Sequence, residues 1–163
     1  MTTLKYIHIP VLVLALLGAS CAVSPEETSR RLALEADIQS ILAHPLDPEV
    51  FGETKRCLGE NEYRSYRALD DRHMLFEGRG DKLWINTLRT SCPDLRRGRN
   101  DVLVVRSFTL RRICDSDNFA VADWFDRPWY RGWGAGMTCV FGEFQPVTKD
   151  QVADIEDLLK SKR

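Results

Sequence analysis

The chain has 163 residues, 44% of them hydrophobic and 29% charged, with a formal net charge of −1. This is room for one domain with a modest core, and too apolar a composition for a disordered chain. The near balance of charge speaks against a dedicated nucleic-acid binder, because phosphate neutralisation asks for a clear basic excess.

The first twenty residues read as an address. After Lys5, the stretch from Ile7 to Leu17 is almost wholly apolar, broken only by His8 and Pro10. It is shorter than the roughly 20 apolar residues that cross a bilayer. Followed by Gly18, Ala19 and Ser20, it fits a secretory h-region with its cleavage site, so residues 1–20 are expected to be a signal peptide. Cys21, directly after these small residues, resembles the lipobox cysteine of bacterial lipoproteins, which is lipidated and becomes the new N-terminus. The pattern departs at Gly18, where a lipobox carries Leu, Val or Ile; Leu17 lies one step earlier. Ordinary cleavage near Ala19 or Ala22 is the alternative. Lipidation would also remove an odd exposed thiol from an oxidising compartment. Ala22 is not the aspartate associated with inner-membrane retention, so the lipobox resemblance implies the outer membrane.

Ser24-Pro25-Glu26-Glu27 opens a helix: serine accepts from orphan amides, proline suits the first turn, and the glutamates face the positive helix end. Leu34, Ile38, Ile41 and Leu42 then share one helical face, and Pro45 and Pro48 stop the element. It is either a docking helix or a spacer near the membrane. From about Arg56 the texture changes to short strand-like runs: Tyr63–Leu69, Met74–Glu77, Lys82–Leu88, Val102–Phe108, Phe119–Phe125 and Thr138–Phe144. Turn residues separate them, and Gly78–Asp81 predicts a hairpin of Met74–Glu77 with Lys82–Leu88. At the end, Thr148 and Gln151 form a capping-box pair and Val147 with Val152 a hydrophobic staple. Val152, Ile155, Leu158 and Leu159 share a face suited to covering the open side of a sheet.

Without Cys21, four of the five cysteines remain: Cys57, Cys92, Cys114 and Cys139. None forms a C-x-x-C pair, which speaks against structural zinc, and in an exported chain an even set reads as two disulfides. Three connectivities are possible. Cys92–Cys114 with Cys57–Cys139 is preferred, since the first would bracket the Val102–Phe108 strand and the second would bind first strand to last. The sequential pairing, Cys57–Cys92 with Cys114–Cys139, stays open.

Several ordered elements resemble a known family: Cys57, Arg67-Ala68-Leu69-Asp70-Asp71-Arg72, Leu75-Phe76, Trp84-Ile85-Asn86-Thr87-Leu88, Cys92-Pro93-Asp94-Leu95, Ile113-Cys114-Asp115-Ser116-Asp117 and Cys139-Val140-Phe141-Gly142-Glu143-Phe144-Gln145-Pro146. The run is similar to an uncharacterised family of small proteobacterial envelope proteins, often lipoproteins, classed as a domain of unknown function. The resemblance covers about residues 56–160 and implies an envelope location and disulfides, with no activity to carry over. Asp94, where the family pattern has glycine, and the strongly aromatic stretch Trp124–Gly136 depart from it.

Four segments offer chemistry. In Asp70-Asp71-Arg72-His73 a carboxylate and an imidazole could share a proton or bind a metal. If the segment is a strand, side chains alternate, so Asp71 and His73 converge and Asp70 does not join them. The plain alternative is an acidic turn with a backbone-capping aspartate and an arginine partner. Asp115-Ser116-Asp117-Asn118 alternates oxygen ligands but lacks the glycine and distal glutamate of a calcium loop, and reads as an Asx turn. Trp124 to Gly134 holds three of the four tryptophans; Trp124, Trp129, Tyr130, Arg131 and Trp133 could stack on sugars or sit at lipid headgroups, or else pack as a satellite core. Arginine outnumbers lysine 17 to 6. Arg96-Arg97-Gly98-Arg99 and Arg111-Arg112 could touch phosphates, although a solvated face is the ordinary use of such runs.

The expected architecture is α+β, mainly β: a small antiparallel barrel or curled sheet of about six strands with an N-terminal helix and a C-terminal helix. Residues 21–50 are expected to hold the lipid-attachment site and helix or spacer, and 51–163 the disulfide-stapled domain. The expected function is an exported, lipid-anchored, non-catalytic binding or structural module. Its place is the bacterial cell envelope, on the periplasmic face of the outer membrane, or else free in the periplasm. The membrane, through the N-terminal lipid, is the named partner, with an envelope glycan, lipid or protein left open. No cofactor, metal or nucleic acid is expected. The competing reading is a small envelope hydrolase using Asp71 and His73.

Overall fold

The computed structural model describes residues 24–96, 101–106, 111–123 and 137–162. Residues 1–20, expected to be a signal peptide, and Cys21 lie outside them, as does the aromatic stretch with Trp124, Trp129, Tyr130, Arg131 and Trp133.

The first helix, α1 (Pro25–Leu42), begins as its sequence dictates: Ser24 caps it by accepting from the Glu27 amide, and Pro25 occupies the first turn. It ends before Pro45, and its last carbonyls find partners from other elements. Gln145 Nε2 donates to Leu42 O at 2.6 Å and Gln151 Nε2 to Ile41 O at 2.9 Å. A single turn, α2 (Pro48–Phe51), follows. The strands are β1 (Cys57–Gly59), β2 (Tyr63–Ala68), β3 (His73–Gly78), β4 (Leu83–Thr87), β5 (Asp101–Arg106), β6 (Arg112–Cys114), β7 (Asn118–Asp123), β8 (Cys139–Val140) and β9 (Phe144–Val147). The chain closes with α3 (Lys149–Ser161), whose Thr148–Gln151 capping box is formed in both directions.

The mixed, mainly β composition with a helix toward each end agrees with the sequence. The barrel does not. Among the described residues nine antiparallel strands form three sheets, ordered β2-β3-β4-β9, β5-β7-β8 and β1-β6, and none of them closes. Two short strands, β1 and β6, carry too few residues to show a pattern. The run Thr138–Phe144 splits into β8 and β9, each in a different sheet. Gly142 makes that switch: a Cβ there would stand 2.1 Å from the Thr87 carbonyl oxygen. Buried Asn86 seals it, donating from Nδ2 to Gly142 O at 2.7 Å and accepting from Gly142 N at 3.0 Å.

The predicted hairpin is present as β3 and β4, in register from His73 opposite Thr87 to Glu77 opposite Leu83. Both faces of β3 are covered, because the four-stranded sheet lies between two cores. Leu75 and Ile85 face Ile38 and Leu42 of α1 and Val152, Ile155 and Leu159 of α3. Met74, Phe76 and Trp84 face Leu58, Ile113, Phe119 and Phe141 from the smaller sheets and the β8–β9 crossing. Phe76 centres this second core, edge-on to Tyr63 at 5.4 Å and to Phe144 at 5.2 Å, while Phe119 stacks on Phe141 at 4.3 Å. The N-terminal helix is thus a docking helix.

The disulfides are Cys57–Cys114 and Cys92–Cys139, which corrects both pairings drawn from the sequence. Register explains the first: β1 and β6 set Cys57 directly opposite Cys114. For the second, the chain leaving β4 runs against β8, where Arg89 N donates to Val140 O at 3.0 Å, and Cys92 follows within reach of Cys139. Neither strand pairing leaves a trace in cysteine spacing.

Candidate functional site

The segment that carries the most chemistry, Asp70 to His73, is the turn between β2 and β3. Leu69 N donates to His73 O at 2.8 Å and closes it. Asp70 Oδ1 accepts from the amides of Arg72 at 2.7 Å and His73 at 2.6 Å, an Asx arrangement that serves two backbone donors with one oxygen. The same carboxylate meets the His73 ring, with Nδ1 3.1 Å from both Oδ1 and Oδ2.

The expected convergence of Asp71 with His73 is therefore corrected: the partner is Asp70. Strand alternation does not apply, since β2 ends at Ala68 and β3 starts at His73, leaving residues 69–72 to curl. Asp71 turns to the chain beyond β4, where its carboxylate accepts from Ser91 Oγ at 2.9 Å and its carbonyl from Cys92 N at 2.6 Å.

A second carboxylate arrives from α1. Glu35 Oε2 stands 3.7 Å from His73 Nε2 and 4.0 Å from Arg72 Nε, ion-pair distances too long for hydrogen bonds. Two acidic and two basic side chains thus meet where α1 crosses the end of β3. His73 is 1% exposed. Burial pulls its pKa down, but the Asp70 and Glu35 carboxylates outweigh that and push it up to about 9. The imidazolium holds the Glu35 carboxyl below its ordinary range. Asp70, raised by burial, is brought below its ordinary range by His73 and the two amides. At neutral pH the site is a closed ion-pair latch between helix and sheet, with its proton donor shut away from solvent.

In the acidic turn after β6, Asp117 Oδ2 accepts from Cys114 N at 2.8 Å, three residues back, so its carboxylate ties the turn to the end of β6 instead of making the forward contact of the expected Asx turn. Asp115 does something the sequence reading missed. It collects Arg56 and Arg89 from two other parts of the chain. Glu35, equally missed, carried a signal: it sits three residues before Ile38 and seven before Leu42, a carboxylate within the apolar stripe. Among the described residues, no group of three or more His, Cys, Asp or Glu side chains could hold a metal ion, and no helix is long and apolar enough to cross a membrane.

Compared with known protein families, residues 3–163 match the family described as Family of unknown function (DUF6491). The chain belongs to this family. The match spans the docking helix, all four paired cysteines and the Asp70–His73 turn of this DUF6491 chain. No curated protein and no solved structure matches the chain.

Proposed function

We propose that this DUF6491 chain is an exported, lipid-anchored protein of a proteobacterial cell envelope, acting there as a non-catalytic binding or structural module. The observation that carries the reading is the pair of disulfides, Cys57–Cys114 and Cys92–Cys139, since such bonds persist in oxidising compartments. The leader-like residues 1–20 and the lipobox resemblance at Cys21 support the anchor from sequence alone. The burial of His73 supports a module over a hydrolase, because a proton donor clamped by two carboxylates is closed to substrate. With Cys21 acylated, multiple chains would hold the domain at the membrane, at about 0.8 kcal/mol per buried methylene. For the binding face, the aromatic stretch with Trp124, Trp129, Tyr130, Arg131 and Trp133 is proposed on composition.

Fractionation of bacteria expressing the wild-type chain and Cys21→Ser tests the reading. The wild type is expected in the membrane pellet with four non-alkylatable cysteines, and the variant in the soluble periplasmic fraction. Continued pelleting of Cys21→Ser, or free sulfhydryls at the other four positions in the native protein, overturns it.

A further inference from the structure

We propose that Arg56 and Arg89, organised by the buried carboxylate of Asp115, form a binding site for a phosphate group. The three side chains come from separate stretches: Arg56 directly before β1, Arg89 shortly after β4, and Asp115 on the turn leaving β6. Arg56 addresses Asp115 with one edge of its fork, Nε to Oδ2 at 3.3 Å and Nη2 to Oδ1 at 3.2 Å; Arg89 adds Nη2 to Oδ2 at 3.2 Å. The Asp115 side chain is 6% exposed, against 76% for Arg56 and 53% for Arg89. Two guanidinium groups sharing one carboxylate must converge, and together the three groups leave one positive charge. Among the described residues Asp115 is the only acceptor either guanidinium meets. Arg56 alone supplies two bonds to the buried carboxylate. Arg89, half exposed, adds a third bond and keeps the rest of its guanidinium in water, open to a ligand.

The placement is also rigid. Asp115 N donates to Arg56 O at 2.6 Å, and the Cys57–Cys114 bond joins the residues next to both. Arg89 N donates to Val140 O beside Cys139, the partner of Cys92. Both disulfides therefore brace this one corner, which lowers the cost of ordering the donors on binding. A phosphate, with its oxygens spread over a tetrahedron, suits two planar forks that approach from different chain segments. This names a ligand class for the module proposed above and rests on that reading. Its test uses no information on location, so the two can fail separately.

The oxidised Cys21→Ser chain, in which no acyl group can carry the protein onto lipid, is titrated with inorganic phosphate and followed by arginine Nε NMR. Saturable shifts are expected at Arg56 and Arg89. R89Q leaves Asp115 its two bonds from Arg56, so the fold survives; binding is expected to weaken about tenfold, as for loss of one charge-assisted contact. R79Q removes an exposed arginine of the β3–β4 turn and is expected to change nothing. Vesicles of phosphatidic acid in phosphatidylcholine form the second arm. Retention that R89Q abolishes assigns a lipid headgroup, and phosphate shifts without retention assign a free phosphate. No saturable shift by ~10 mM phosphate, or equal weakening in R79Q and R89Q, overturns the site.

Discussion

Alkaline pH is expected to unlatch α1 from the sheet. His73 titrates at about 9 in the folded chain, and an unfolded histidine at its ordinary 6.5. A pKa raised by folding stabilises fully below the unfolded value and ceases to stabilise as pH climbs through the folded one. At about 1.36 kcal/mol per pH unit, the difference comes to about 3 kcal/mol, present at pH 6 and nearly gone by about pH 9.5. Asp70 and Glu35 act with the opposite sign. Both are held below their ordinary range, so their contribution stands above that range and disappears in acid. These groups together place maximum stability near about pH 5–6.5. Urea unfolding of the oxidised protein at about pH 6 and 9.5 measures the effect, with His73→Gln as reference for every other titrating group. The wild type should lose about 3 kcal/mol more than His73→Gln over that interval, and NMR should find the imidazole midpoint near 9. A midpoint at or below 6.5, or the same loss in His73→Gln, refutes the latch.

Two further outcomes follow from packing and topology. Gly142→Ala forces a Cβ onto the Thr87 carbonyl and disturbs both Asn86 bonds; a loss of about 3 kcal/mol or more in unfolding free energy is expected, and wild-type stability would refute the crossing described for β8 and β9. Replacing Cys92 and Cys139 together by serine opens a link between residues 47 apart in sequence and should cost about 4 kcal/mol by chain entropy, read as a lowered urea midpoint; non-reducing peptide mapping that links Cys92 to Cys114 instead would refute the pairing.

Local chemistry was legible wherever neighbours in sequence decide the outcome. Ser24 and Pro25 start α1, Thr148 with Gln151 starts α3, and Gly78 to Asp81 turns β3 into β4, because each uses partners within a few residues. The apolar stripe through Val152, Ile155 and Leu159 announced a surface seeking a sheet, whereas that through Leu34, Ile38 and Leu42 left a docking helix and a membrane spacer both open until the fold showed it docked. Composition and periodicity therefore determined the mainly β class, the two terminal helices and the even set of paired cysteines.

Which residues meet across long separations was decided by tertiary structure alone. Asp70 reaches His73 only because the chain curls between β2 and β3, and Glu35 joins them only because α1 docks on that end of the sheet. Cys57 faces Cys114 through a two-stranded sheet too short to show a pattern, and Arg56, Arg89 and Asp115 assemble around it. Backbone pairing and burial set these contacts, and a linear sequence records the groups that can pair without recording the distances between them.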